Sequence, residues 1–327
     1  MPVNIPVMPA FNFGAQPTRE SAYEFFISNM EQFQNRFRDV KYPDIFWNKV
    51  IPAESVDTGI NPGASMVSYP VADWKGQGAF RARYGKNIPT VSTTFAKNNV
   101  PIQAAAISAI MDTDEIRGVL FGMTLDLRTR FPEIMRMACE RHVEGVYFYG
   151  DPVVGFLPFL DFPGVPEAVA AAGAGGYTDW ARKTPDEILA DLNTALSAIW
   201  VNSRQVHVPN TIYLPPGHLG YIASTPRSAN SDTTILGYFL KNNLFTNQGL
   251  GEVTVAALPY LGTAGVSGAA RMIACERKGD NFLMPFPLPF ELLAPQYTDL
   301  NIKLFAEYKF GAVHLPYPQA FLYTDGI

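Results

Sequence analysis

The feature that most constrains this chain is a long run with helical periodicity. Its apolar residues follow one another at offsets of three and four: Phe131, Ile134, Met135, Ala138, Cys139, His142, Val143, Val146 and Tyr147. Charged residues fall on the opposite side, at Glu133, Arg136, Glu140 and Glu144. The pattern predicts an amphipathic helix with the first group buried and the second in solvent. Pro132 is expected in its first turns, where a missing N–H costs little.

The helix leads into an apolar segment, FYGDPVVGFLPFLDFPGV, at residues 148–165. It is too apolar for a solvent-exposed loop, and Pro152, Pro158 and Pro163 make it a poor central strand. On the sequence alone it is a link, and what it connects stays open.

A second helix is predicted from Thr184. The sequence TPDE is a capping box with Pro185 at the first helical position and Glu187 three residues after the cap. Its buried stripe is formed by Ile188, Leu189, Leu192, Leu196, Ile199 and Trp200. Short strands follow, then a helix near 234–242, and the last 28 residues indicate two strands joined near Gly311. The fold class is therefore mixed α+β, without βαβ alternation or internal repeats.

Residues 64–84 have the rhythm of a β-hairpin with a turn at Lys75-Gly76. In its second half Phe80, Ala82 and Tyr84 alternate with Arg81 and Arg83, which gives one apolar and one basic face. A two-stranded ribbon is marginal in water, so the layer that covers it belongs either to another subunit or to a local sheet of which it is the edge. A further extended run, IPTVSTTFAKNNVPIQAAAISAI, follows.

Composition excludes several function classes. A net charge of −5, with no long run of Lys or Arg, argues against a surface that neutralises many phosphates. Two cysteines, at 139 and 275, fit reduced thiols better than a disulfide framework. No apolar run is long enough to span a membrane and no signal peptide is evident, so we expect a soluble protein made in the cytoplasm.

No group of residues in the sequence indicates a catalytic site. The GAGG sequence at 173–176 lacks the spacing of a phosphate-binding loop and indicates a flexible loop. The four histidines are scattered, without the spacing of a helical metal site. His142 and Cys139 share the apolar helix face, where a core histidine and an inert thiol are expected. We therefore expect no enzyme activity, cofactor or metal.

The N-terminal region begins with an irregular arm. From Ser21 an amphipathic helix is predicted, with Phe25, Phe26, Met30, Phe33 and Phe37 along one face. A short helix capped by Asp112 or Thr113 is expected to precede the long one.

The order of these parts resembles the major capsid proteins of tailed bacteriophages. It comprises an arm, a two-stranded extension, a long helix ending in FYGD, the apolar link, W-x-x-x-T-P-D-E-I-L-x-D-L-N from Trp180, and a closing GAVHLPYP. The resemblance covers nearly the whole chain, and the helix-then-GD link and the TPDEI helix start are its most specific motifs.

The resemblance implies the Hong Kong 97-like fold. The N-arm would span residues 1–44 and the extended E-loop 61–103. The peripheral domain would combine 45–60, 104–150 and 290–327, with its spine helix at about 126–148, and the axial domain would span 151–289. The link would then be the crossing from the spine helix into the axial domain, buried beneath that domain or against a neighbour, although a simple interdomain linker explains it equally well.

The implied function is assembly of hexamers and pentamers into an icosahedral head shell in the virion, formed in the host cytoplasm around double-stranded DNA that is not bound sequence-specifically. Implied partners are other copies of the chain, scaffolding and portal proteins, and a decoration or cement protein. Expected intersubunit contacts are Trp74, Phe80, Arg81, Arg83 and Tyr84. Some relatives crosslink through an E-loop lysine; Lys75, Lys86 and Lys97 lie in that region, but nothing fixes their partners and we expect no crosslink. The alternative is an encapsulin-like shell.

Overall fold

The computed structural model describes residues 43–80, 90–114, 127–228 and 232–327, with the backbone alone at 127–129. The predicted N-terminal helix and nearly all of the short helix after Thr113 lie outside these ranges. All described residues from Asp44 onward belong to one unit.

The described helices and strands alternate irregularly along the chain, as expected for an α+β protein. The helices are α1 (Trp47–Val50), α2 (Leu127–Tyr149), α3 (Pro185–Asn202), α4 (Pro216–Ser224), α5 (Ile235–Asn242) and α6 (Leu244–Asn247). The strands are β1 (Val56–Asp57), β2 (Met66–Lys75), β3 (Ser92–Asp112), β4 (Glu167–Val169), β5 (Thr211–Leu214), β6 (Thr254–Ala257), β7 (Arg271–Cys275), β8 (Met284–Pro285), β9 (Leu288–Leu292), β10 (Gln296–Thr298), β11 (Asn301–Gly311) and β12 (Phe321–Asp325).

One five-stranded sheet, in the order β4-β12-β7-β5-β6, is buried on both faces. Because side chains alternate along a strand, Ile212, Met272 and Leu322 pack on one side with α3, while Tyr213 and Ile273 belong to the core on the other side. This explains why every residue of β5, β7 and β12 is buried.

The proline-rich link covers the second face of this sheet. Phe148 and Phe159 are fully buried, and Phe159 lies edge-on to Phe321 of β12 with ring centroids 6.3 Å apart. The hydroxyl of Tyr323, also on β12, donates to the carbonyl of Phe159 (2.5 Å) and accepts from the amide of Phe162 (3.3 Å). The link is therefore core of this chain, which agrees with the expectation of burial beneath the axial range.

A second sheet, in the order β10-β11-β3-β2 with β9 also paired to β11, packs against helix α2. Met135 of α2 contacts a cluster formed by Met111 of β3 and by Leu304 and Ala306 of β11. The opposite face of this sheet carries the exposed residues of β3, and we call it the outer sheet face. Its β3 residues are Ala104, Ala106, Ser108 and Ile110.

The predicted long helix is present, but its buried face differs from the prediction at three positions. Ile134 is 57% exposed and His142 is also exposed, whereas Glu144 is buried. Glu144 is covered because its Oε1 accepts the backbone N–H of Phe46 (2.6 Å), just before α1. On the exposed side, Arg136 Nε pairs with Glu140 Oε1 at 3.0 Å. The helical period predicts one continuous stripe, but different elements cover the two ends of α2.

The C-terminal strands also differ from the prediction. They do not pair with each other: β11 lies in the sheet with β3, and β12 pairs with β7 and β4 in the other sheet. The last strand, expected to belong with residues 290–327 to the peripheral domain, thus lies in a sheet whose other strands come from the 151–289 range.

The capping box at Thr184 is confirmed, since the amide of Thr184 donates to Glu187 Oε2 at 2.8 Å. The structure also explains the WxxxTPDEILxDLN motif. Trp180 is fully buried and its Nε1 donates to Asp191 Oδ2 (3.0 Å), while Lys183 Nζ lies 2.5 Å from the same oxygen. A buried carboxylate needs such partners, so the motif is a structural device at the start of α3.

Candidate assembly surface

The most exposed regular structure is a two-stranded ribbon formed by β2 and the first half of β3. The pairing is antiparallel, running from Met66 opposite Pro101 to Lys75 opposite Ser92. β11 pairs only with the other half of β3, residues 102–112. Within the described residues the sheet therefore narrows to two strands, which we call the ribbon.

The ribbon corrects the predicted hairpin. The first strand is as predicted, but its partner begins at Ser92, in the extended run, rather than near Gly78. Residues 76–80 are not in a strand, and Arg81, Arg83 and Tyr84 lie outside the described residues. The prediction was wrong here because alternation indicates a strand but does not determine which segment pairs with it.

The register assigns the ribbon side chains to two faces. One face, which we call the ribbon face, carries Trp74, Phe95 and Lys97, because Ala72 lies opposite Phe95 and Pro70 opposite Lys97. The other face carries Tyr69, Asp73 and Lys75. Hydrogen bonds agree with this division: Ser68 pairs with Asn99, and Asn98 donates to the Tyr69 hydroxyl.

Large apolar side chains on the ribbon, and on the segment that follows β2, have no cover within the described chain. Trp74 is 74% exposed, Phe95 73% and Phe80 108%. Trp74 and Phe80 were predicted contact residues, and both are open to a partner. Phe95 was missed, because its place beside Trp74 follows only from a register that local sequence does not reveal.

The base of the ribbon is fixed to the rest of the unit. The Tyr69 ring lies tilted against His314, and His314 lies edge-on to Phe162 of the link, each pair with centroids 5.4 Å apart. Burial lowers the pKa of His314, which favours its neutral form between these two rings. At Gly311 an added Cβ would lie 2.7 Å from the carbonyl oxygen of Pro101, so the strands approach closely. The ribbon is thus packed against the rest of the unit at its base and exposed at its tip.

Cys139 and His142, the residues considered for catalysis, make contacts that indicate structural roles. Burial, followed by the charge of Glu140, raises the pKa of Cys139 to about 12, so the thiol stays protonated. His142 Nδ1 is hydrogen-bonded to the Tyr308 hydroxyl at 2.8 Å. Among the described residues no group of three His, Cys, Asp or Glu side chains is arranged to hold a metal ion.

The GAGG loop is tied to helix α3 rather than free. The amide of Ala174 donates to Glu187 Oε1 at 2.6 Å, and this bond, with that from the Thr184 amide, lowers the pKa of Glu187. A Cβ at Gly173 would lie 2.8 Å from Glu187 Oε2. The glycine lets the loop close on the helix start.

Across the described part of the chain, none of the helices combines the length and apolar character needed to cross a bilayer.

The sequence matches the profile of a known protein family, described as "Major capsid protein", over residues 76–327. The match spans most of the chain and includes the second strand of the ribbon, but not β2. The chain belongs to this family. The match confirms the resemblance seen in the sequence, and it favours a phage head shell over an encapsulin-like compartment.

Solved structures similar to this member of the major capsid protein family come from phages and from a GTA particle. "The capsid of Myoviridae Phage XM1" is 14% identical with a TM-score of 0.75, covering 92% of this chain and 98% of that one. A structure from Mycobacterium phage Bobi is 13% identical with a TM-score of 0.59, covering 96% and 100%. The capsid of a native GTA particle is 13% identical with a TM-score of 0.61, covering 90% and 94%. No curated protein matches the sequence. At these identities the likeness confirms the Hong Kong 97-like fold.

Proposed function

We propose that this capsid subunit assembles into hexamers and pentamers of an icosahedral shell, and that its ribbon is an intersubunit contact. The observation that carries the proposal is the ribbon itself: paired strands whose tip presents Trp74 and Phe95, each more than 70% exposed. A two-stranded ribbon does not bury its apolar side chains alone, and exposed aromatic patches mark interaction sites.

We also propose a division of the chain into parts. The ribbon falls within the proposed E-loop, residues 61–103, and helix α2 is the proposed spine. The peripheral domain would comprise 45–60, 104–150 and 290 to about 320, and the axial domain 151–289 together with β12. Residues 1–44, the proposed arm, lie almost wholly outside the described ranges. Partners other than copies of the chain would be scaffolding, portal and cement proteins, with double-stranded DNA enclosed rather than read.

Shortening the ribbon tests the contact. Residues Val71–Ala96 are replaced by Asn-Gly, which joins Pro70 to Lys97, two residues that already lie opposite each other. The anchors at Tyr69 and Gly311 remain, so the shortened subunit should melt like the full chain because little buried surface is lost. Sedimentation velocity should show no closed shells.

A matched control replaces Thr94, on the other face of the ribbon, by Ala in the full-length chain. This variant should assemble normally. Closed shells from the shortened chain would contradict the proposal, and so would a shortened chain that no longer folds, because the ribbon would then belong to the subunit's own core.

A further inference from the structure

The outer sheet face of the same chain carries an unusual charge arrangement. Glu307 of β11 lies directly opposite Glu291 of β9, and Ala106 of β3 lies opposite Glu307 on its other side. We call Glu291 and Glu307 the acidic row, and Ala106 lies beside it. Like charges directly opposite one another, with Cβ atoms about 5 Å apart, are unfavourable in a sheet.

The acidic row has no cation of its own among the described residues. Neither Glu291 nor Glu307 forms an ion pair within the described part of the chain, and both are exposed. Lys309, the nearest lysine on the same face of β11, directs its Nζ to the carbonyl oxygen of Pro62 (2.9 Å). The floor beside the row consists of the small side chains Ala104, Ala106 and Ser108, which leave space for a larger group.

The ribbon face is complementary to this row. It offers two exposed aromatic rings, Trp74 and Phe95, beside the exposed Lys97, whose side chain has no partner in the described ranges. The aromatic rings match the small-residue floor in shape, and the ammonium group matches the two carboxylates in charge.

The two surfaces do not meet within one subunit. They lie along the same strand, β3, but Phe95 and Lys97 are odd-numbered and Ala104 and Ala106 even-numbered, so alternation directs them to opposite faces. A contact between them therefore joins two copies head to tail, and such contacts close into rings when the rotation between subunits allows.

We propose that the ribbon face of one copy docks on the acidic row of a second copy, with Lys97 placed between Glu291 and Glu307. This inference rests on the proposed role of the ribbon in assembly, and it names the surface of the neighbour that the ribbon contacts. Lys97 relieves the repulsion between the two carboxylates, and the small residues of β3 receive an aromatic ring.

Charge reversal tests the pairing. Lys97→Glu should lose closed shells in sedimentation velocity and electron microscopy, and so should the double variant Glu291→Lys with Glu307→Lys, because each opposes like charges across the contact. The variant that combines all three substitutions should regain shells. Thermal melts of each subunit should match the unaltered chain, since all three side chains are exposed.

Two controls carry the same charge changes elsewhere. Lys75→Glu lies on the other ribbon face, and Glu133→Lys with Glu252→Lys lies outside both surfaces; both variants should assemble. The pairing is wrong if Lys97→Glu assembles normally, or if the combined variant remains unassembled. If the shortened ribbon abolishes shells while Lys97→Glu does not, the assembly role of the ribbon stands and only this docking surface fails. Closed shells formed by the shortened chain would refute both the assembly role of the ribbon and the proposed docking surface.

Discussion

Arg271 and Asp325 form a buried, bidentate ion pair that joins the last strand to the centre of the sheet. Arg271 Nε lies 2.6 Å from Asp325 Oδ1, and Nη2 lies 2.9 Å from Oδ2. Arg271 Nη1 also donates to the carbonyl of Leu160 in the link (2.6 Å). A single guanidinium therefore holds β7, β12 and the link together.

Removing one partner of this pair should destabilise the subunit strongly. Asp325→Asn leaves the buried Arg271 charge with only its longer ion pairs to Asp161 (3.6 Å) and Glu167 (3.5 Å), which are partly exposed. We therefore expect a loss of about 3 kcal/mol in the free energy of unfolding. Urea denaturation of the unassembled subunit measures it. Asp280→Asn, at an exposed ion pair with Lys278, is the control and should change stability by about 0.5 kcal/mol or less. Similar midpoints for the two variants would show that the pair does not stabilise the fold.

The same pair should make the subunit acid-sensitive. Burial alone would raise the pKa of Asp325, but the hydrogen bonds from Arg271 and from the Val266 amide hold it below its ordinary value. The folded state thus binds this proton less readily than the unfolded chain, so the stabilisation is present above pH of about 4 and is lost as pH falls through the folded pKa. Between pH 5 and 3, the unfolding free energy of the unaltered chain should fall more steeply than that of Asp325→Asn. If the unfolding free energies of the two proteins fell equally with pH, protonation of Asp325 would not be the cause of the acid sensitivity.

The link needs glycine at the end of helix α2. Gly150 has φ of +70°, and an added Cβ would lie 2.6 Å from the carbonyl oxygen of Phe156 and 2.8 Å from the nitrogen of Pro158. Gly155 has φ of +81° but nothing within 4 Å of such a Cβ. Gly155→Ala therefore measures backbone strain alone, about 1 kcal/mol, and Gly150→Ala should cost clearly more because backbone atoms must also move. Equal melting temperatures for the two variants would contradict the close packing at Gly150.

Two substitutions on helix α2 separate the observed face from the simple helical pattern. Val143 is 1% exposed and Ile134 is 57% exposed, although both belong to the predicted apolar stripe. Val143→Asp should cost at least about 3 kcal/mol through burial of an unpaired carboxylate, while Ile134→Asp should change stability by about 0.5 kcal/mol. Soluble yield and thermal melts decide between them. Equal losses of stability from the two substitutions would show that Ile134 is buried, as the helical period alone predicts.

Local signals predicted those parts of the fold that local interactions determine. The sequence predicted the capping box at Thr184, the helix that ends before Gly150 and the buried link. Helix caps, hydrophobic periodicity and proline content reflect interactions between residues close together in the chain. The errors all depend on distant partners. Glu144 is buried by Phe46, the strand opposite Lys75 begins at Ser92, and β12 pairs with β7.

The candidate site was predicted in part for the same reason. Trp74 and Phe80 stand out in the sequence as aromatic residues in an extended segment, and the structure leaves both exposed. Phe95 could be assigned to the ribbon face only once Ala72 was known to lie opposite it. Nothing in the local sequence of Glu291 or Glu307 shows that they are neighbours, since they are brought together by pairing of β9 with β11.

The central claim is that this chain builds a closed shell from copies of itself. Electron microscopy of the purified full-length chain, with sedimentation velocity on the same preparation, tests it most directly. We predict icosahedral particles or the hexamers and pentamers from which they form, with sedimentation far faster than that of a single 36.0 kDa chain. A well-folded chain that sediments only as a monomer or dimer at every concentration, and shows no ring or shell in the images, would contradict the account.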